Sequence, residues 1–173
     1  PSIYSAAEIT RLLRAAHEMR SRTSQGLRFR RATYETFFGL VAATGLRVGE
    51  AIRLDRSDID WANQLLIIRK SKFGKSREVV LNDSVVRALR RYVSRVGTRL
   101  IYNNVHSTFA RLLRQAAIPR AKARVHDLRH TFIVRTILRW YREGVDVDAR
   151  MPLLSTYVGH RNPSSTYWYI SAT

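Results

Sequence analysis

The apolar residues of this chain keep one period almost throughout, and the one place where that period changes limits the fold. Ile9, Leu12, Leu13 and Ala16 recur at helical spacing, and so do Phe37, Leu40 and Val41. The pattern then gives way to two compact β-favouring runs, Leu65-Leu66-Ile67-Ile68 and Arg77-Glu78-Val79-Val80-Leu81, joined around Gly74. Four-residue apolar runs also occur in buried helices, but their shortness and the flanking glycine favour strands. Ala62-Asn63 forms a turn-like step before the first run, and a third strand fits near Ile59. The expected fold is α+β and mostly α: helices around one small antiparallel sheet of two to three strands.

Helix signals divide the remainder. Ser5 and Glu8 have the spacing of a capping box, hydroxyl first and carboxylate three residues on. Residues 18–28 are polar and contain Gly26, which predicts a loop. A helix follows over about 29–43 and stops at Gly45, a left-handed cap, and a short helix runs over about 47–54. Asn82 or Asp83 caps the next helix, which reaches about 96 and closes at Gly97. Asn103 or Asn104 begins another, which ends before Pro119. A long helix over about 127–142 stops at Gly144. Pro152 fits the first turn of a short helix ending at Gly159. Asn162-Pro163 reads as a cap followed by proline at the first helical position, which puts Tyr169 in the last helix. There are no internal repeats and no low-complexity tracts.

The 173 residues fit one domain with a real core. Lys and Arg number 31 against 13 Asp and Glu, a formal net charge of +18 with pI near 11.4, so polyanions are the expected partners. The absence of cysteine excludes disulfides, thiol catalysis and thiolate metal sites, and fits a reducing cytosol. No apolar run approaches a membrane span, and no signal peptide is visible. The chain begins at Pro1, which suggests a fragment of a longer protein. Arginine outnumbers lysine 27 to 4, yet Lys70, Lys72 and Lys75 fall within six residues. Lysine can donate a proton near neutral pH and arginine cannot, so that concentration is itself a chemical signal.

Three clusters carry reactive groups. Arg47 and Glu50 share a helix face, as a phosphate-gripping arginine steadied by a carboxylate or as a surface ion pair. His126 and Arg129 share a face at a helix start, where anions are favoured and where a histidine also serves as a cap; His130 lies one turn on and could brace His126. Lys72 sits in the hairpin among five basic residues in nine (69–77). There Arg69, Lys70, Lys75 and Arg77 fit contacts to backbone phosphates. His160 follows a glycine at a helix end, in the place of a C-cap histidine. Tyr167, Trp168 and Tyr169 suit a core as well as a site. Together these are a phenol, two arginines and two histidines, the set that attacks a phosphodiester without a metal. A phenol with pKa of about 10 becomes a useful nucleophile once cations share the developing charge.

In this order, Thr44-Gly45-Leu46-Arg47-Val48-Gly49-Glu50, Lys72-Phe73-Gly74-Lys75-Ser76-Arg77, His126-Asp127-Leu128-Arg129-His130-Thr131-Phe132, Gly159-His160 and Tyr169 resemble the catalytic domain of the tyrosine recombinase (phage integrase) family, from about Ser5 to Tyr169. The tail Leu154-Ser155-Thr156-Tyr157-Val158-Gly159-His160 with Thr166-Tyr167-Trp168-Tyr169 looks like transposon or plasmid integrases. The resemblance implies that Arg47 and Arg129 stabilise phosphate charge and that Lys72, with Lys75 and then Lys70 as its rivals, protonates the leaving 5′-oxygen. It makes His126 a base on the tyrosine or a phosphate-positioning group, His160 a phosphate hydrogen-bond partner, and Tyr169 the nucleophile, with Tyr167 its rival. Glu50 and His130 fall in supporting places.

The activity so implied is site-specific DNA recombination, integration or transposition through a 3′-phosphotyrosyl intermediate, with no cofactor, metal or ATP. Type IB topoisomerase-like nicking and resealing, or a DNA-binding regulator with a relict site, are the alternatives. Residues 1–173 would form the catalytic domain without the family's N-terminal core-binding domain. The chain also stops four residues after Tyr169, which makes tyrosine order an open expectation. Double-stranded DNA is the implied partner, with a homo-tetramer on paired sites in the full-length protein, a monomeric fragment alone, and a cytoplasmic, nucleoid-associated location.

Overall fold

The structure, a computed structural model, describes residues 2–19, 24–69, 76–96, 104–118, 123–160, 162 and 164–170, with backbone only over 24–28. It is mostly helical with one three-stranded sheet. Helix α1 (Ala6–His17) opens on the expected capping box: the Ser5 hydroxyl accepts from the Glu8 N–H at 3.1 Å, and the Glu8 carboxylate accepts from the Ser5 N–H at 2.8 Å. Helix α2 (Ser24–Thr44) corrects the loop expected over 18–28, since it begins five residues before 29 and contains Gly26. Polar composition is no bar to a helix, and one glycine costs only about 1 kcal/mol there, which tertiary packing overrides. The far end agrees with expectation: Gly45 is left-handed (φ 65°) and its N–H bonds the Val41 carbonyl at 2.9 Å.

Helix α2 is the centre of the molecule, with α1, α4 (Asp83–Val96) and α6 (His126–Arg142) packed against it. Its aromatic face explains why. Phe38 stacks on Tyr34, meets Phe37 edge-on at 5.4 Å, and reaches Phe109 of α5 (Val105–Gln115) at 5.2 Å. Each such ring removes enough apolar area from water to stabilise the fold by about 1.5–3 kcal/mol. A second apolar cluster joins Ile133, Ile137 and Trp140 of α6 to Val147, Met151, Leu154 and Val158 of α7 (Val147–Val158), and takes in Tyr169.

Strands β1 (Ile59–Asp60), β2 (Leu65–Ile68) and β3 (Arg77–Val80) pair antiparallel in chain order, with Leu66 opposite Val79 and both fully buried. The Gly74 turn, Gly97, Asn103, Pro119 and Pro163 lie outside the described residues. Asn82 caps α4 by accepting from the Val85 N–H at 3.0 Å. Asn104 precedes α5 in the left-handed region without a side-chain cap bond.

Three other boundaries move. Helix α3 is shorter than expected, Val48–Ile52, with Arg47 at its cap. Pro152 is interior to α7 rather than in its first turn, because Asp146 caps that helix from farther back by accepting from the Ala149 N–H at 3.0 Å. Pro152 lies on an exposed face. Helix α8 is only Ser164–Tyr167, so Tyr169 stands in the turn just past it and not within it.

Gly45 and Gly144 are both left-handed, but a Cβ at Gly45 would meet the Phe132 ring at 2.5 Å and one at Gly144 would meet nothing within 4 Å. Gly144→Ala should therefore cost only the conformational penalty of about 1–2 kcal/mol. Gly45→Ala should cost about 3 kcal/mol or more, because strain and a ring displacement add. Urea denaturation of the two variants measures the difference.

Candidate active site

Four chain segments distant in sequence meet at one place. The first is the α2–α3 junction. Arg47 stands at the α3 cap in an extended conformation, its N–H donates to Glu50 Oε2 at 3.0 Å, and its Nη1 donates to Glu50 Oε1 at 2.9 Å. Glu50 is buried, and Arg77 of β3 reaches it from the other side with two bonds, Nη1 to Oε1 at 2.9 Å and Nη2 to Oε2 at 2.8 Å. Burial alone would raise the Glu50 carboxyl; the bonds from Arg77 and the Arg47 backbone outweigh it and hold it down to about 2. Arg77 Nε also donates to the Tyr157 carbonyl at 2.9 Å, and Arg47 Nη2 donates to the Gly159 carbonyl, so β3 and the end of α7 are tied to the same carboxylate.

The second segment is the first turn of α6. Arg129 is only 1% exposed, its Nη1 donates to the Gly45 carbonyl, and its Nη2 is buried without a hydrogen-bond partner among the described residues. Burial, then repulsion from Arg47, lowers Arg129 to about 10, which leaves it a cation at neutral pH. His126 is held below its ordinary value by burial and then by Arg129 and Arg124. The His130 ring meets the His126 ring edge-on at 4.7 Å, and His130 is pushed down to about 4 by burial and then by His126.

His160 and Tyr169 supply the remainder. His160 Nδ1 is 2.7 Å from the Thr166 hydroxyl, and its ring lies parallel to that of Tyr169 at 6.4 Å. Burial, then Arg129 and Arg47, lowers His160 to about 4. Tyr169 is 3% exposed, and its hydroxyl is hydrogen-bonded to His130 Nδ1. Burial raises its pKa, and Arg129 pulls in the opposite direction. Tyr167 and Trp168 face solvent at 40% and 50% exposure, so of the two rival phenols the buried one lies among the histidines.

Arg47, Glu50, His126, Arg129, His130, His160 and Tyr169 thus occupy one neighbourhood. Lys70, Lys72 and Lys75 lie outside the described residues. Arg69 is largely exposed and its Nε bonds Asp58 at 2.8 Å. Arg77 turns its guanidinium inward, with both Nη atoms bonded to Glu50. Strand alternation carries that information, since Arg77 and the buried Val79 are two apart and share a face. The resemblance makes His126 a base on the tyrosine or a phosphate-positioning group; the histidine bonded to the phenol is His130. Thr166 and the carbonyls of Gly45, Tyr157 and Gly159 were not foreseen; every residue offers a carbonyl, so only the two glycine helix ends hinted at them. Among the described residues, no three His, Asp or Glu side chains cluster to hold a metal.

Residues 4–173 match the model of the phage integrase family. A Sinorhizobium fredii protein named as an integrase/recombinase, y4rB, is 37% identical over 195 residues, covering all of this chain and 62% of that protein. The crystal structure of XerA recombinase superposes with a TM-score of 0.74 at 26% identity, over 98% of this chain and 58% of that one. XerH site-specific recombinase bound to its difH substrate shares the fold, with a TM-score of 0.74 at 19% identity over 98% of this chain and 50% of that one. The chain therefore spans about half to three-fifths of the length of these relatives.

The two histidines held near 4 make the fold sensitive to acid. Below their unfolded value of about 6.5 the unfolded chain takes up protons that the folded site resists, so stability falls as pH drops from about 6.5 towards 4. Glu50, ionised down to about 2, extends the loss below its ordinary value of 4.5. Urea midpoints at pH 7, 5.5 and 4 should decline steadily, and His160→Asn should decline less steeply between pH 6.5 and 4.

Proposed function

The chain belongs to the phage integrase family, and we propose that it is the catalytic domain of a site-specific DNA recombinase, cutting and rejoining DNA through a 3′-phosphotyrosyl intermediate. One observation carries this reading. A buried arginine whose Nη2 has no partner among the described residues, a second arginine, two histidines and a buried phenol converge from distant parts of the chain. An anion with several acceptor oxygens is the complement of that set.

In the reaction, Tyr169 Oη attacks the scissile phosphorus, a P–O bond to the phenol forms, and the bond to the 5′-oxygen breaks. Arg47 and Arg129 neutralise the non-bridging oxygens as charge builds on them. The 5′-oxygen leaves with a proton from Lys72, the role that family resemblance gives this residue. His126 and His160 orient the phosphate. The ester to Tyr169 keeps the energy of the broken linkage, so rejoining needs no ATP; attack by a 5′-hydroxyl reverses each step. Guanidinium groups take the charge-neutralising part that metal ions play in many nucleases.

Double-stranded DNA is the proposed substrate. The net charge of +18 supports it, as does the difH DNA bound by the structurally similar XerH. The chain covers 62% of y4rB and 58% of XerA, in keeping with a catalytic portion of a longer protein whose N-terminal domain completes the grip on DNA. The full protein is proposed to act as a tetramer on paired sites in the cytoplasm, with the nucleoid.

On a nicked suicide substrate the full-length protein should form a covalent protein–DNA adduct in the presence of chelator. Tyr169→Phe should abolish the adduct and leave DNA affinity nearly unchanged; an adduct that survives Tyr169→Phe and disappears in Tyr167→Phe would name the other phenol as nucleophile. Lys72→Ala should slow cleavage by about 10²–10⁴-fold, the usual share of a general acid. A substrate with sulfur as the leaving 5′-atom should restore the rate, since a thiolate departs without a proton. Lack of rescue would give Lys72 a binding role instead.

A further inference from the structure

The phenol of Tyr169 has a specific partner, and it is not the histidine of the His126–Arg129 pair. Tyr169 leaves the last turn after α8 and turns into the second apolar cluster, where its hydroxyl meets His130 Nδ1. The His130 and Tyr169 ring centroids are 5.4 Å apart at an interplanar angle of 40°. The His126 ring meets the His130 ring edge-on, with centroids 4.7 Å apart. His160 lies flat alongside the phenol ring and is bonded to Thr166.

We propose that His130 is the positioning residue for the nucleophile: its bare Nδ1 accepts the phenolic O–H, aims the oxygen, and receives the proton as the phosphorus bond forms. This rests on the phosphotyrosyl reading and refines it. A hydroxyl whose hydrogen is engaged keeps its lone pairs for phosphorus, and the engaged hydrogen already points at a base. A neutral imidazole also adds no third cation to compete with Arg47 and Arg129 for the phosphate. His130 is neutral at pH 7 because burial and its neighbours oppose its charging. A phosphodiester anion beside it reverses that preference, so the proton moves when substrate is bound and not before. In rejoining, the proton returns from Nδ1 to Oη as the phenol departs and the incoming 5′-hydroxyl takes the phosphorus.

Asparagine and glutamine separate this role from simple packing, because an Asn side-chain oxygen falls near the place of Nδ1 and a Gln oxygen near that of Nε2. With the full-length protein on a nicked suicide substrate, His130→Leu should slow adduct formation by about 10²-fold or more at unchanged DNA affinity. His130→Asn, which keeps a hydrogen-bond acceptor near the place of Nδ1 but cannot take the proton, should be slower than the parent and exceed His130→Gln by about tenfold. Histidine-selective nitrogen NMR of the same protein gives a readout that needs no turnover: Tyr169→Phe should shift the His130 ring signals more than those of His126.

Equal rates for His130→Asn and His130→Gln, or a parental rate in His130→Leu, would overturn the inference while the parent's adduct still upheld recombinase chemistry. Unmoved His130 signals in Tyr169→Phe would overturn it too. No adduct from the parent, together with a His130 signal that does respond to Tyr169→Phe, would sink the phosphotyrosyl reading itself. The contact would then be packing, and the positioning role would fall with it.

Discussion

The buried carboxylate of Glu50 is the interaction on which the site depends. An ionised carboxylate at 4% exposure would be costly alone, by several kcal/mol. It is tolerated because Arg77 takes both of its oxygens and Arg47 adds a side-chain and a backbone bond. These bonds join α3, β3 and, through the Tyr157 and Gly159 carbonyls, the end of α7. Gly159 completes the arrangement by lacking a side chain. A Cβ there would lie 2.8 Å from the Arg77 guanidinium carbon and 3.1 Å from Arg47 Nη1. The same left-handed residue therefore ends a helix and makes room for two arginines.

Around this anchor the charges are sorted by burial. Arg129 keeps its charge although nearly all of its surface is covered, because a guanidinium is a strong enough base to be lowered to about 10 and remain protonated. His130 and His160 start near neutrality, and even partial burial, together with their charged and titratable neighbours, lowers them to about 4 and leaves them neutral. One desolvated environment thus holds permanent cations and neutral imidazoles side by side. The cations suit an anion's oxygens and the imidazoles suit proton traffic.

Much of this was legible in the sequence, and the parts that were not have physical reasons. The change of period at Leu65–Ile68 located the sheet, and left-handed glycine caps located the ends of α2 and α7. The start of α2 was missed because polar residues near Gly26 look like a loop until Tyr34, Phe37 and Phe38 supply a core that holds the helix in place. Pro152 misplaced the start of α7 because a proline favours a first turn statistically, whereas the Asp146 cap decides it locally. The inward turn of Arg77 was not legible from the basic composition around 69–77, and only strand alternation distinguishes its side chain from its neighbours. His126 and His130 are both one helical turn from site residues, and spacing alone could not tell which would meet a phenol 39 positions away.

The two arginines share a further device. Gly45 and Gly159 are the left-handed residues just past α2 and α7; the carbonyl of the first accepts from Arg129 and that of the second from Arg47. A helix carboxyl end carries a partial negative charge of about half an elementary unit from its unsatisfied carbonyls. Each guanidinium is therefore braced by a dipole that stabilises its charge; Arg47 adds to this the Glu50 carboxylate, whereas Arg129 has the carbonyl without the full counter-charge a carboxylate would bring. A carboxylate on Arg129 would neutralise the cation and occupy the donors that an anion needs. A carbonyl restrains one edge and leaves Nη2 without a partner among the described residues. The helix caps that terminate the fold's elements are thus the same atoms that orient its cations, which is why these glycines matter to the chemistry as much as to the backbone.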